Sequence, residues 1–116
     1  MNAQPPAPAP AFDELIHQPT RLTVVAFLSG CAEAEFRAVR ENCGVSESAL
    51  SKVVGVLEAA SYVTVRRGYV GKRPRTWLRL SPEGRRALAS HLAELQRIAA
   101  TATALAAALE QQPPQA

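Results

Sequence analysis

The stretch from 33 to 60, EAEFRAVRENCGVSESALSKVVGVLEAA, decides the fold of this chain. Phe36, Val39 and Cys43 recur at helical intervals, and Gly44 stands where a left-handed residue commonly ends a helix. Ser46 then offers an N-cap to a second helix, whose apolar face is formed by Leu50, Val54 and Leu57. Two helices, over 33–43 and from 46 onward, are joined by only about two residues, a spacing typical of a helix-turn-helix. The second helix of the pair would present its first turn outward.

A further helix is predicted before this pair. Thr20 is its expected N-cap, and Phe12, Leu15 and Ile16 form a lead-in turn before Pro19. The apolar residues of this first helix recur at helical spacing and are Leu22, Val25, Ala26 and Leu28.

After Ala60 the pattern changes to the alternation typical of strands, so that two strands are predicted over 62–65 and 76–80. The residues between them, 68–74, are rich in turn formers, which predicts a β-hairpin. Ser81, Pro82 and Glu83 then combine an N-cap, a proline at the first helical position and an acid in the first turn. They predict a fourth helix from Pro82 to about Leu109. The predicted fold is therefore mainly α with one β-hairpin (α+β).

Length and composition limit the class of protein. A chain of 116 residues has room for one compact domain. We expect disordered tails at 1–11 and 111–116, a domain over 12–80 and a C-terminal helix over 81–110. No apolar run is long enough to cross a bilayer, and two cysteines are too few for a disulfide framework, so a cytoplasmic location is expected.

The positive charge is concentrated in the hairpin. The whole chain carries a net charge of only +3, but the segment 62–80 contains six basic residues and no acidic one. A basic hairpin beside a helix-turn-helix favours an anionic partner such as nucleic acid.

Several of these stretches resemble the small winged-helix transcriptional regulators related to the MarR and ArsR groups. The resemblance covers roughly 12–98 and rests on SALSK at 48–52, LEAASYV at 57–63, GKRPRTW at 71–77 and LSPEG at 80–84. It implies a winged helix-turn-helix with a long C-terminal dimerisation helix, in a homodimeric regulator that binds duplex DNA. The third helix would enter the major groove, and the hairpin would act as a wing on the flanking backbone or minor groove. Ser61 replaces the glycine that usually ends the third helix.

The pattern of polar and basic residues also favours contact of the third helix and the wing with DNA. Polar side chains off the Leu50 face of the third helix would point outward, and the cations of the wing would bracket its tip. The candidate DNA-binding residues are Ser46, Ser48, Ser51, Lys52, Arg66, Arg67, Lys72, Arg73 and Arg75. Arg21 is a weaker candidate for a backbone contact. Val53 and Gly55 make the expected reading surface more apolar and flexible.

Other interpretations of these features exist. The basic hairpin could be a solvated edge that resists aggregation, and a winged helix can also serve as a protein-interaction module. Neither a phosphate-binding loop nor a carboxylate pair supports an enzyme. Cys31 and Cys43, with His17 or His91, lack chelating spacing, so that neither a metal nor a cofactor is expected.

The predicted fourth helix is too long for so small a domain to cover. From Pro82 to Leu109 it would extend about 42 Å, against a globular diameter of roughly 30 Å. Its apolar residues recur with alternating spacings of four and three, a pattern typical of a helix packed on a second helix. The candidate dimer-interface residues, including a second apolar stripe, are Leu88, Leu92, Leu95, Ala99, Ala102, Leu105, Ala106 and Leu109. Two-fold pairing predicts an operator that is an inverted repeat with half-site centres about 10 base pairs apart.

Overall fold

A computed structural model describes residues 7–114 of the protein. In chain order its elements are α1 (Glu14–His17), α2 (Pro19–Ser29), β1 (Ala34–Glu35), α3 (Phe36–Cys43), α4 (Glu47–Ala59), β2 (Val63–Val70), β3 (Arg73–Leu80) and α5 (Pro82–Glu110). The predicted first to fourth helices correspond to α2, α3, α4 and α5. The predicted tails lie partly outside the described residues, at 1–6 and 115–116. No helix of the described part is both long and apolar enough to span a membrane.

The turn between α3 and α4 forms as the sequence predicts. Gly44 adopts φ 66°, a left-handed conformation that favours glycine. The Ser46 hydroxyl accepts a hydrogen bond from the Ala49 N–H at 3.1 Å and so caps α4. These local interactions establish the helix-turn-helix.

The start of α2 differs from the prediction. The helix begins at Pro19 instead of after Thr20, and the Gln18 side chain accepts a hydrogen bond from the Arg21 N–H at 2.8 Å. Proline suits the first helical position because it lacks an N–H that would have no partner there. The lead-in turn is the short helix α1, whose first N–H groups are capped by Asp13.

The strand β1 was not predicted. The sequence analysis placed 33–35 at the start of a helix, but Ala34 and Glu35 pair antiparallel with Leu78 and Trp77 of β3. The helix α3 therefore begins only at Phe36. The resulting sheet has the strand order β1-β3-β2.

The hairpin is longer than predicted, because the expected turn-rich segment 68–74 lies mostly within strands. Only Gly71 and Lys72 lie between the paired residues Val70 and Arg73, and Gly71 has φ 63°. In a two-residue hairpin the next pair outward, Tyr69 with Pro74, makes no ladder hydrogen bonds, so proline is tolerated there.

The core lies where α2, α3, α4 and the sheet meet. Its buried apolar residues are Ile16, Val24, Val25, Leu28, Val39, Leu50, Val53, Val54, Leu57, Val63, Leu78, Leu80 and Leu88. Val53 was expected on the outer surface of its helix, but it is only 8% exposed. It therefore contributes to the core, and the outer surface of α4 is less apolar than expected.

The long helix α5 joins the domain only through its first half. The Ser81 hydroxyl caps it by accepting the Gly84 N–H at 3.0 Å. Gly84 lies against the Tyr62 carbonyl so closely that a side chain there would collide with it. Leu88 and His91 are the last buried residues, and every residue from Gln96 to Gln111 is exposed.

Candidate nucleic-acid interface

The outer side of α4 forms an exposed ridge. Ser48, Ser51 and Lys52 are exposed, together with Gly55, whereas Leu50, Val53, Val54 and Leu57 face the core. A groove runs along each side of this ridge. Glu47, Ser51 and Glu58 line the groove on the wing side, and Ala49, Lys52 and Val56 line the groove on the α2 side. The outer side of α4 thus presents polar side chains to solvent.

The candidate Ser46 differs from the other serines of the ridge. Its hydroxyl caps Ala49 and lies 3.3 Å from the Ser48 hydroxyl. The residue is exposed, but its first role in the structure is to begin α4. The Ser46 hydroxyl thus contacts both the first turn of α4 and the side chain of Ser48 at the N-terminal end of the ridge.

The wing divides its cations between two faces, because successive side chains of a strand point to opposite sides. Arg67 lies on the side of α4, where it lines the same groove as Ser51 and Thr76. The register of β2 and β3 places Arg66, Trp77, Arg75, Arg73 and Arg79 on the opposite face. Lys72 lies in the turn at the tip.

One of the predicted DNA-binding cations, Arg66, is paired within the domain. Its guanidinium donates two hydrogen bonds to the Glu33 carboxylate, at 2.7 and 3.2 Å, and lies 4.1 Å from the centre of the Trp77 ring. The hydrogen bond from Arg66 lowers the pKa of Glu33, and the same bond raises the pKa of Arg66. Arg66 therefore braces the wing against the β1 side of the sheet.

Arg75 is held in a similar way. Its guanidinium lies 3.1 Å from the Glu35 carboxylate, and its side chain is only 26% exposed. By contrast, Arg67, Lys72 and Arg73 form no ion pair with any residue between 7 and 114. The charge count of the segment 62–80 missed this division because the acidic partners come from the segment around β1.

Two further exposed residues lie near the tip of the wing and were not among the sequence candidates. Tyr69 is 73% exposed and Val70 is 58% exposed. The alternation of Val63, Val65 and Arg67 would have placed Tyr69 on the α4 side, had the strand been predicted to extend that far.

The predicted dimer-interface residues fall into two groups. Leu88 is 6% exposed and belongs to the core of its own domain, so it is not available to a partner. The later apolar residues of α5 are more open to solvent: Leu95 is half-buried, and Leu92 is 42%, Leu105 61% and Leu109 66% exposed. Ile98, a further apolar residue of this part of α5, is 46% exposed. Such a long apolar face without a covering element is a common feature of a helix that pairs with another chain.

The described part of the chain contains no group of three or more His, Cys, Asp or Glu residues placed to hold an ion. Cys31 and Cys43 are both free and half-buried. Burial raises the pKa of the Cys43 thiol, which disfavours the reactive thiolate form.

Known structures of similar fold are regulators. A transcriptional regulator homologue from Pyrococcus horikoshii aligns with a TM-score of 0.71 and 21% identity, over 77% of this chain and 88% of that one. The regulator PcaV from Streptomyces coelicolor, solved with its natural ligand, aligns with a TM-score of 0.65 and 27% identity, over 86% of this chain and 70% of that one. The zinc-responsive MarR family member ZitR from Lactococcus lactis aligns with a TM-score of 0.53 and 17% identity, over 74% of this chain and 58% of that one.

Sequence comparison assigns the family. No curated protein sequence is significantly similar to the chain. Residues 20–99, however, match the family model of the winged helix DNA-binding domain, a span that runs from the second residue of α2 into α5 and includes the whole helix-turn-helix and wing. The protein therefore belongs to the family of the winged helix DNA-binding domain, and it shares its fold with these transcriptional regulators.

Proposed function

We propose that the protein is a sequence-specific transcriptional regulator that binds duplex DNA as a homodimer. In this proposal α4 enters the major groove and the wing contacts the flanking backbone or minor groove. The observation that carries it is the position of unpaired cations beside a polar helical ridge. Ser48, Ser51 and Lys52 are exposed on α4, while Arg67 and the cations at the wing tip have no acidic partner between 7 and 114.

The division of the wing cations supports this role. Arg66 and Arg75 are paired with Glu33 and Glu35 across the sheet, which holds the hairpin in one orientation. The remaining cations, Arg67, Lys72 and Arg73, are left to neutralise phosphates. The wing would thus carry two kinds of cation, those that brace it through ion pairs and those that are free to bind phosphates.

The exposed half of α5 supports a homodimer. Leu92, Leu95, Ala99, Ala102, Leu105, Ala106 and Leu109 remain from the predicted interface once Leu88 is assigned to the core. A second copy of the same helix offers a self-complementary apolar face, and its alanines allow a close approach. Two-fold pairing would place the two α4 helices about one turn of DNA apart, roughly 34 Å, and favour an inverted-repeat operator.

The test is a titration of a fluorescent mixed-sequence duplex over a series of salt concentrations. Three phosphate contacts per protomer predict a slope of log affinity against log salt of about −5 for a dimer. A protein-interaction module of the same fold would show no such binding. Selection from a random duplex pool would then define the operator. Failure to enrich an inverted repeat would contradict sequence-specific binding by a two-fold symmetric homodimer.

A further inference from the structure

The groove on the α2 side of the ridge, away from the wing, has the composition of an anion site. It is lined by Thr20 and Arg21 of α2 and by Lys52 of α4, over a floor that includes Val53 and Val56. Both cationic side chains converge on it from different helices. No acidic residue lines this groove in the described part of the chain.

The Arg21 side chain is held at its base. Its Nε donates to the Leu15 carbonyl at 2.5 Å, and its backbone N–H is bound by Gln18. The contact of Nε holds the guanidinium of this groove-lining residue and leaves its two terminal amino groups without a hydrogen-bond partner among residues 7–114. Preorganised amino groups of this kind suit a phosphate oxygen.

The two grooves beside α4 differ in charge. The wing-side groove contains Arg67 but also the carboxylates of Glu47 and Glu58. The α2-side groove contains Arg21 and Lys52 without an opposing carboxylate. An anion beside α4 is therefore attracted more strongly on the α2 side.

We propose that Arg21 and Lys52 together bind a phosphodiester of duplex DNA on the side of α4 opposite to the wing. A helix in the major groove, about 12 Å wide, lies between two phosphate backbones, so that contacts on both of its flanks set its depth and angle. The wing would hold one backbone, and the Arg21–Lys52 site would hold the other. This inference rests on the proposed DNA-binding function and adds a second anchor to it.

The test compares the salt dependence of mixed-sequence duplex binding among charge variants. Arg21→Gln should reduce the magnitude of the slope by about 0.9 for each protomer that loses the contact. Arg21→Lys keeps a cation and should retain a slope close to that of the wild-type protein, whereas a purely structural role would make both variants alike. Arg86→Gln is the matched control, because it removes one charge from a side chain that is 72% exposed on α5.

Arg21 also binds the Leu15 carbonyl, so Arg21→Gln can affect folding as well as DNA binding. A second variant, at Lys52, separates the two effects. Lys52 is exposed and forms no ion pair between 7 and 114, so Lys52→Gln should leave the melting temperature unchanged. It should reduce the slope by the same amount. If the wild-type protein binds DNA but Arg21→Gln or Lys52→Gln keeps its slope, the phosphate site is wrong and the proposed function stands. If the wild-type protein shows no salt-dependent binding, the proposed function itself fails.

Discussion

The Nε2 atom of His91 lies 3.1 Å from Nδ1 of His17, while Nδ1 of His91 accepts the Asp13 backbone N–H at 3.0 Å. The second contact leaves Nδ1 of His91 without a proton, so the neutral ring carries its proton on Nε2 and donates it to His17. Asp13 also accepts a 2.6 Å hydrogen bond from the Tyr62 hydroxyl, which raises the pKa of Tyr62 to about 12. This network joins α1 to α5 and to the residue preceding β2.

The first prediction concerns the pH dependence of stability. His91 is completely buried, and its pKa is lowered by desolvation and by His17. As the pH falls, the His91 side chain therefore takes up its proton earlier in the unfolded chain than in the folded one. The contribution of neutral His91 to the free energy of unfolding is complete above about pH 6.5 and is lost as the pH falls toward the folded-state pKa. Urea denaturation between about pH 5 and 8 should show this loss in the wild-type protein. His91→Gln should weaken it, and an unchanged pH profile in that variant would contradict the assignment to His91.

The second prediction uses two glycines as a matched pair. Gly84→Ala should lower the free energy of unfolding by about 2 kcal/mol, because the methyl group would collide with the Tyr62 carbonyl and lie 2.7 Å from Leu80 Cδ1. Gly55→Ala should raise it by about 1 kcal/mol, since the position lies inside α4 with nothing within 4 Å. Urea denaturation measures both. Equal effects in the two variants would contradict the close approach of α5 to Tyr62.

The third prediction concerns the end of α4. Ser61 has φ 65°, a left-handed conformation that costs a residue with a side chain about 1 kcal/mol. Its contacts are made by the backbone: the carbonyl accepts the Ser81 hydroxyl and the N–H donates to the Glu58 carbonyl, and glycine would keep both. Ser61→Gly should therefore raise the free energy of unfolding by up to about 1 kcal/mol. A lower melting temperature would show that the serine side chain has a role of its own.

The fourth prediction separates the paired cations of the wing from the free ones. Lys72→Gln with Arg73→Gln should reduce the magnitude of the salt slope by about 1.8 per protomer, because both cations are free to bind phosphates. Arg66→Gln with Arg75→Gln removes the same formal charge but breaks the pairs with Glu33 and Glu35. That variant should change the slope much less. Equal losses of slope would mean that the ion pairs open on DNA and that Arg66 and Arg75 bind phosphates as well.

The fifth prediction concerns the dimer. Truncation after Gln96 removes a segment whose described residues, 97–114, are all exposed, so the remaining domain should fold as a monomer with greatly reduced DNA affinity. Leu105→Glu with Leu109→Glu should have the same effect in the full chain, since both side chains are more than 60% exposed. Sedimentation at tens of micromolar measures the oligomeric state. A monomeric wild-type protein, or a truncated form that still dimerises, would rule out the α5 interface.

The sequence by itself determined the elements whose ends depend on neighbouring residues. Gly44 ends α3, Ser46 begins α4, and Ser81 with Pro82 begins α5, because each cap acts on backbone groups within about four residues. The alternation after Ala60 likewise predicted the hairpin. These local signals were enough to predict the winged helix and to locate its polar ridge and basic wing.

Only the tertiary structure decided which side chains of those elements are buried, paired or free. Glu33 and Arg66 are 33 residues apart in the chain, and their pairing depends on β1 joining the sheet, which no local pattern indicates. The burial of Val53 and Leu88, and the contact between His17 and His91, depend in the same way on which helices meet. A side chain's identity and spacing show what it can bind, but packing between distant segments determines which partner it reaches. For this reason the sequence located the cations of the wing, while the fold divided them into paired and free ones.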